Sequence, residues 1–317
     1  MSVYTDQHSG TKGTNRIKDK NPRWTRRQAG YDRTMRMIFI GSAVLVSIVI
    51  FSIILFVGYQ GSLTFRDVPI SEFFFGSKWS PSADNPSFGI LPFLYSTLLL
   101  TGLSILLAVP LALSGAIFMA KVAPRWMREI LRPAADLFVG IPSVVYGLIG
   151  LTVIVPFLGN LFNGSSSAGY GILPAGIVLA IMIMPTILSV SEDALRSLPI
   201  RLEEASLALG ATRFQTIWRV LIPAARPGIL TGIILGMGRA IGETMAVFMV
   251  IGNAPVFPKS LLDSTTVLTT AIVKDMANTF FNTTWNNSLY LMAFVLLLLS
   301  LLLIVAIRIV AGRSERL

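Results

Sequence analysis

Long runs without a charged side chain constrain this chain more than any other feature. No Asp, Glu, Lys or Arg lies in residues 37–65, 85–120 or 137–191. A bilayer core of about 30 Å is crossed by about 20 mainly apolar residues in a helix, so each run can hold at least one span. With 53% hydrophobic residues and a mean hydropathy of +0.71, the chain has too much apolar surface for a soluble core of its size. We predict an all-α integral membrane protein.

The apolar runs divide into six predicted spans. The polar stretch 159–169 separates two spans within residues 137–191, and an even number of spans places both termini on one side of the membrane. The other four spans are Met37–Gly58, about Leu91–Met119, Pro227–Gly252 and Leu289–Ile307.

Lys and Arg predict the orientation, because they accumulate on the cytoplasmic side. Nine lie in the tail before Met37, four in residues 121–132, five in residues 196–226 and three after Ile307, against four in the opposite loops. Both termini are therefore expected in the cytoplasm. The predicted regions are a basic, disordered and retained tail (1–36), a first span (37–58), an external loop with an interfacial helix or a packed loop (59–89), a five-span core (90–308) and a C-terminal tail (309–317).

A polar amphipathic segment, residues 199–223, separates the fourth and fifth spans and is expected to be a cytoplasmic docking element. Two short helical patterns meet at Gly210, which permits a sharp turn. The first pattern places Leu202, Ala205 and Leu209 on one face. The second places Phe214, Ile217, Trp218 and Leu221 on one face by the i, i+3, i+4, i+7 spacing.

Arg239 and Glu243 are the only charges inside a predicted span, and their spacing of four places them on one face of a continuous helix. Each charge costs about 2.5 to 3.5 kcal/mol near the bilayer centre on insertion scales, so neither should face lipid. Two interpretations stay open. The charges form a buried ion pair that fixes packing, or Arg239 offers a guanidinium fork to an oxyanion while Glu243 orients it.

Glycines in the fifth span favour close helix packing. Gly232 with Gly236, and Gly238 with Gly242, are pairs of small residues one turn apart. Gly236, Gly238 and Gly242 miss the dinucleotide-binding fingerprint by one residue and follow no strand, so no nucleotide site is expected there.

Absent motifs exclude several functions. The chain has no cysteine, its one histidine, His8, lies in the tail, and no phosphate-binding loop of the ATPases occurs. We therefore expect no metal site and no cofactor on this chain, and any ATP and Mg²⁺ must be bound by another subunit. The net charge of +10 is mostly an orientation signal, and no motif supports nucleic-acid binding.

Residues 204–223 resemble the E-A-A-x-x-x-G-x(9)-I-x-L-P signature of ATP-binding-cassette (ABC) importer permeases. Matching positions are Glu204, Ala205, Gly210, Val220, Ile222 and Pro223, with size-tolerant changes at three signature positions. The resemblance implies the type I ABC importer permease fold, a non-catalytic subunit and coupling helices that dock in a cleft of the ATPase. The implied coupling residues are Glu203, Glu204, Ala205, Gly210, Phe214, Ile217, Trp218, Leu221 and Pro223.

Two further segments, Gly236–Val247 and Ile141–Gly150, resemble the PstC-type permease family of bacterial phosphate importers, as does the long first external loop. The resemblance implies a bacterial inner-membrane protein in which Arg239 and Glu243 line the phosphate pathway. It also implies a PstA-like second permease, a PstB-like ATPase dimer and a PstS-like phosphate-binding protein as partners, with alternating access driven by ATP.

Other functions remain as alternatives. A sulfate or molybdate permease would share the coupling segment, and a PstA-type permease shares much of the span pattern. A secondary anion transporter would have only Glu243 as an acidic group inside a span. A membrane scaffold or phosphate sensor would bind partners without net transport.

Overall fold

The computed structural model describes residues 22–162 and 169–313. Within these ranges, six helices are long and apolar enough to cross a membrane: Arg33–Arg66, Leu91–Val122, Ser143–Leu161, Ile172–Arg196, Arg213–Gly242 and Thr284–Ile309. The sequence therefore predicted the number of spans correctly. Residues 1–21 of the tail that was predicted to be disordered lie outside the described part of the chain, and so does most of the hairpin loop 159–169. Residues 22–36 are helical as the first part of α1, so the prediction of disorder is wrong for them.

Thirteen α-helices occur in the described residues. They are α1 (Pro22–Ser62), α2 (Ile70–Phe75), α3 (Leu91–Ile117), α4 (Arg125–Gly140), α5 (Ser143–Ile149), α6 (Val155–Leu161), α7 (Ile172–Arg196), α8 (Ile200–Ala208), α9 (Arg213–Thr216), α10 (Ile222–Gly242), α11 (Met245–Val250), α12 (Leu268–Met276) and α13 (Thr284–Arg313). A 3₁₀ turn follows α1 at Leu63–Arg66, and π-helical turns occupy Phe118–Val122, Gly150–Ile154 and Ile217–Leu221. Strands β1 (Trp79–Ser80) and β2 (Ser87–Phe88) form a small antiparallel hairpin.

The chain separates into two compact units, residues 1–55 and 56–317. The described part of the first unit belongs to α1. Its side chains from Met37 onward are almost all exposed, with Phe39 at 70% and Leu45 at 63%. Such a helix has to be covered by lipid or by another chain.

Helix α7 forms the centre of the second unit and packs against both α3 and α10. Its Leu179, Met182 and Ile183 are fully buried. Small residues let the neighbouring helix approach, since Ala108 and Ala112 of α3 are also fully buried. This central core holds the fifth span against the second and fourth spans.

A second cluster joins the segment after α1 to the segment before α13. Phe73 of α2 is fully buried in this cluster, and Trp79 packs edge-to-face on Phe93. The Trp79 indole N–H donates to Asp275 Oδ2 at 2.7 Å, which ties the β-hairpin to α12. A helix is thus present at Ile70–Phe75 in the loop 59–89 that was predicted to be external, and it contributes Phe73 to a packed core.

Two predicted boundaries are wrong. The third span begins at Ser143, because the extended residues Ile141 and Pro142 separate it from α4, which contains Leu137. The fifth span does not run as one helix from Pro227 to Gly252. It begins upstream at Arg213, ends at Gly242 and resumes as the short helix α11.

Candidate functional site

The fifth span breaks beside its two charged residues. Glu243 has an extended backbone, with φ −69° and ψ 129°, and α11 starts two residues later. The prediction that Arg239 and Glu243 share one helix face is therefore wrong, since the helix ends between them. The break is held by two hydrogen bonds: Ala246 N–H donates to Glu243 Oε1 at 3.1 Å, and Thr269 Oγ1 donates to the Glu243 carbonyl at 3.1 Å.

Arg239 lies in the last turn of α10 and is half-buried. Its guanidinium makes no hydrogen bond or ion pair with any of the residues that the structure describes. The carbonyl end of α10 favours a cation at this position, because the helix dipole is negative there. The site therefore keeps a half-buried positive charge whose hydrogen-bond donors are not used by the described protein.

Helix α5 packs against α11, the short helix that follows the break. Tyr146 is buried and lies within electrostatic range of Arg239, and its hydroxyl donates to the Phe138 carbonyl at 2.8 Å. A Cβ at Gly147 would come within 2.9 Å of Ala246 Cα, and one at Gly150 within 2.8 Å of Val250 Cγ1. The two glycines of the Ile141–Gly150 segment thus allow α5 to pack closely on α11.

Hydroxyl groups on α3 position the segment that carries Thr269. Ser96 Oγ and Thr265 Oγ1 are hydrogen-bonded at 2.9 Å, and Leu268 N–H donates to Thr97 Oγ1 at 3.1 Å. These groups are buried, so the hydrogen bonds are shielded from water. Reasoning from sequence missed Tyr146 and Thr269 as parts of the site, and the nearest signal was the run of threonines at 265–270.

The four glycines that the sequence pattern paired in α10 occupy two different environments. A Cβ at Gly236 would come within 2.6 Å of Ile187 Cγ1 on α7, and one at Gly232 within 3.2 Å of the Ile187 carbonyl oxygen. A Cβ at Gly238 or Gly242 would meet no atom within 4 Å. Gly232 and Gly236 therefore pack against α7 as expected, whereas Gly238 and Gly242 have no helix beside them in the described chain.

The coupling segment, residues 199–223, has a well-ordered turn. Gly210 has φ +82°, a left-handed conformation that side chains disfavour, and ends the first helical stretch. Thr212 and Gln215 form a capping box at the start of α9, with the Thr212 N–H to Gln215 Oε1 bond at 2.9 Å and the return bond at 3.3 Å. Ser206 and Thr216 hydroxyls are hydrogen-bonded at 2.9 Å and join α8 to α9.

The second helical stretch presents two faces, and the prediction of one shared face is wrong. Phe214 and Trp218 are exposed, at 69% and 53%, with ring centroids 6.0 Å apart. Leu221 is 1% exposed and Ile217 packs beside it in a core that includes Leu195. The π-helical turn Ile217–Leu221 alters the 3.6-residue period on which the prediction depended.

The other predicted coupling residues also differ in environment. Glu203 forms an ion pair with Lys121 at 2.9 Å, which attaches α8 to the end of the second span. Glu204 and Ala205 are exposed, and Pro223 lies half-buried in the first turn of α10. Leu209, at the turn, is 90% exposed. An exposed apolar and aromatic surface thus surrounds the turn at Gly210.

The same helical arrangement occurs in a solved membrane transporter. The structure of a bacterial ABC transporter involved in the import of the acidic polysaccharide alginate contains a chain with the same fold, at a TM-score of 0.61 and 16% identity. The match covers 89% of this chain and 98% of that chain. The predicted type I ABC importer permease fold is confirmed.

Residues 112–316 match the family described as binding-protein-dependent transport system inner membrane component, and the chain belongs to this family. It is 46% identical to the Bacillus subtilis protein named "Probable ABC transporter permease protein YqgH", over 88% of this chain and 91% of that protein. It is 33% identical to the phosphate transport system permease protein PstC of Xylella fastidiosa, over 92% of this chain and 93% of that protein. The chain is thus a multi-pass inner-membrane permease.

Proposed function

We propose that this chain is a permease subunit of an ATP-driven phosphate importer and that Arg239 binds phosphate during its passage. The observation that carries the proposal is the half-buried guanidinium of Arg239, which has no hydrogen-bond or ion-pair partner in the described residues. The relative named PstC supports phosphate as the substrate.

The chemistry of the site suits a tetrahedral oxyanion. A guanidinium is planar, always charged and can donate two parallel hydrogen bonds to one phosphate. Glu243 lies at the helix break, where its carboxylate is engaged by the Ala246 N–H. It therefore leaves the donors of Arg239 free for an anion.

A second permease subunit completes the pathway in this proposal. Gly238 and Gly242 lie on a face of α10 that is open in this chain, together with the exposed Leu235. Small residues on such a face permit a helix of another subunit to approach. The phosphate pathway then lies between the two subunits, next to Arg239.

The coupling segment is the proposed docking site of an ATPase dimer, which binds ATP and Mg²⁺. The exposed Phe214, Trp218 and Leu209 supply apolar contacts, and aromatic anchors of this kind contribute much of the energy of protein interfaces. By the distribution of Lys and Arg, this segment and both termini are cytoplasmic. An extracytoplasmic phosphate-binding protein then delivers the substrate to the opposite face.

Uptake of radiolabelled phosphate into liposomes tests the proposal. The chain is reconstituted with its partner permease, ATPase and binding protein, as wild type, Arg239→Ala, Arg239→Lys and the control Arg66→Ala, whose arginine is exposed at the last residue of the first span. We expect ATP-dependent uptake in wild type and control, loss in Arg239→Ala, and partial activity in Arg239→Lys because one charge remains without the planar fork.

Normal uptake in an assembled Arg239→Ala complex would contradict the role of Arg239. Uptake of sulfate or molybdate in place of phosphate by the wild-type complex would show that the substrate is another oxyanion. Uptake that persists without ATP but stops when ion gradients are dissipated would indicate a secondary transporter.

A further inference from the structure

Helix α4, Arg125–Gly140, lies between two spans that leave and enter the same face of the membrane. The second span ends at Val122, and the third begins at Ser143. Each junction therefore consists of two residues, and both contain a proline in extended conformation, Pro124 and Pro142. A helix of 16 residues is about 24 Å long, and both of its ends are held at one membrane surface.

Three hydrogen bonds attach α4 to the ends of neighbouring spans. Arg128 Nη2 donates to the Ala120 carbonyl at 3.3 Å, and the Tyr146 hydroxyl donates to the Phe138 carbonyl at 2.8 Å. Between these two contacts, Arg132 Nη2 donates to Asp193 Oδ1 at 2.8 Å, one turn before α7 ends.

The Arg132–Asp193 contact is an ion pair as well as a hydrogen bond. It raises the pKa of Arg132 above its ordinary value, first through the hydrogen bond and then through Coulombic attraction, so the guanidinium stays charged. The pair fixes the middle of α4 to the end of α7. That end also leads into the coupling segment, so α4 lies on the coupling side of the membrane.

The side chains of α4 are sharply divided between two arcs. At 100° per residue, the charged residues share one arc of the helix, and these are Arg125, Arg128, Glu129, Arg132 and Asp136. The opposite arc is apolar and is exposed at Trp126 (63%), Ile130 (62%) and Leu137 (73%). These three residues follow the i, i+4, i+11 spacing of one stripe, and no described element of this chain covers it.

We propose that α4 is an interfacial helix that inserts the Trp126, Ile130 and Leu137 stripe into the leaflet on the coupling side. The occupant of this face is lipid, because both ends of the helix are held at the membrane surface and the charged arc lies opposite the stripe. Tryptophan at headgroup level, an apolar face and a charged opposite face are the composition of helices that lie in the membrane plane. Through Arg132 and Asp193, the bilayer surface then fixes the depth of the end of α7.

The absence of cysteine from the chain permits a direct test by site-directed spin labelling. Single variants Ile130→Cys and Leu137→Cys are labelled in the assembled transporter in phosphatidylcholine–phosphatidylglycerol liposomes. Glu129→Cys and Asp136→Cys on the charged arc are the matched controls. Collision rates with oxygen and with a water-soluble nickel chelate give the depth of each label.

We expect labels at Ile130 and Leu137 to lie about 5–10 Å below the headgroup–acyl boundary. Labels at Glu129 and Asp136 should collide mainly with the nickel chelate. Nickel accessibility at Ile130 and Leu137 equal to that of the controls would place the stripe in water and overturn the proposal. Protection of both labels from oxygen and nickel would overturn it in favour of a covering protein subunit. Two positions on the stripe are labelled, so that the remaining variant still tests the proposal if the other fails to assemble.

Discussion

The structural role of Glu243 can be tested separately from its negative charge. Its carboxylate accepts the Ala246 N–H, and this acceptor is retained in Glu243→Gln but lost in Glu243→Ala. Loss of an N-terminal acceptor of this kind costs about 1 kcal/mol. We expect Glu243→Gln to keep most of its phosphate uptake and Glu243→Ala to lose most of it, measured in liposomes at equal amounts of assembled complex. Equal loss in both variants would show instead that the negative charge is required.

Thr269 is expected to hold the helix break in place. Thr269→Val keeps the shape of the side chain but removes the hydrogen bond to the Glu243 carbonyl, which contributes about 1 kcal/mol. We predict reduced uptake with a normal content of ATPase in the complex. Thr152→Val in the third span is the control, since Thr152 Oγ1 donates only to the Leu148 carbonyl of its own helix. Full activity of Thr269→Val would show that this hydrogen bond does not position the site.

Sequence reasoning identified Arg239 and Glu243 because a charge inside an apolar span is costly and therefore conspicuous. It could not identify Thr269, which lies 26 residues from Glu243 in the chain. Nor could it show that the helix ends at Gly242, since neither Glu243 nor Thr244 prevents a helix from continuing. The break depends on tertiary contacts that local pattern does not encode.

At the level of elements, α10 has one face against α7 and another that is open. Gly236→Ala would force a Cβ to within 2.6 Å of Ile187, and overpacking of a core costs about 1–3 kcal/mol. The Cβ of Gly238→Ala meets nothing within 4 Å, and alanine favours a helix over glycine by about 1 kcal/mol, so this variant should not lower the stability of the chain. Thermal unfolding of the purified permease should separate the two variants. A normally stable Gly238→Ala variant that fails to assemble with the second permease would place that subunit on the open face, and equal stability of both variants would contradict the packing assignment.

The two faces of the coupling segment should respond differently to truncation. Phe214→Ala removes an exposed ring and should weaken ATPase binding without lowering the thermal stability of the permease. Leu221→Ala removes a buried side chain and should cost about 2–5 kcal/mol of stability. ATPase recovered with the purified permease, together with the melting temperature, distinguishes these effects. Normal ATPase recovery with Phe214→Ala would show that this ring is not part of the docking surface.

Periodicity predicted that this segment is helical and amphipathic, and the structure agrees. It placed Ile217 and Leu221 on the same face as Phe214 and Trp218, because the π-helical turn has no signature in the residue pattern. For α4, the apolar residues Leu137, Phe138 and Val139 merged with the uncharged run that follows. The extended residues Ile141 and Pro142 make the actual boundary.

For the whole molecule, the ion pair Lys121–Glu203 connects the second span to the coupling segment at 2.9 Å. Partly exposed pairs contribute about 0–1 kcal/mol, so its loss should affect coupling more than stability. We expect Lys121→Glu to lower the phosphate transported per ATP hydrolysed, because two like charges then face each other. The double variant Lys121→Glu/Glu203→Lys should recover the ratio. If the double variant assembles normally but does not recover the ratio of phosphate transported to ATP hydrolysed, the Lys121–Glu203 ion pair does not contribute to coupling.

The number of spans could be read from the sequence because uncharged length is nearly sufficient to specify a membrane helix. Which spans pack together could not be read in this way. Helix α7 is the central helix because its Leu179, Met182 and Ile183 fit against small residues of α3 and α10, and such shape complementarity is a property of pairs of helices.

The continuous helical stretch Arg213–Gly242 has a mechanical consequence. Its 30 residues form a rod of about 45 Å, with Phe214 and Trp218 near one end and Arg239 near the other. A tilt of about 5° imposed at the end that bears the aromatic rings displaces the opposite end by about 4 Å, more than the length of a hydrogen bond. If Arg239 binds phosphate as proposed, the interruption at Glu243 would let the end of α10 carry Arg239 away from the anion while α11 stays packed against α5.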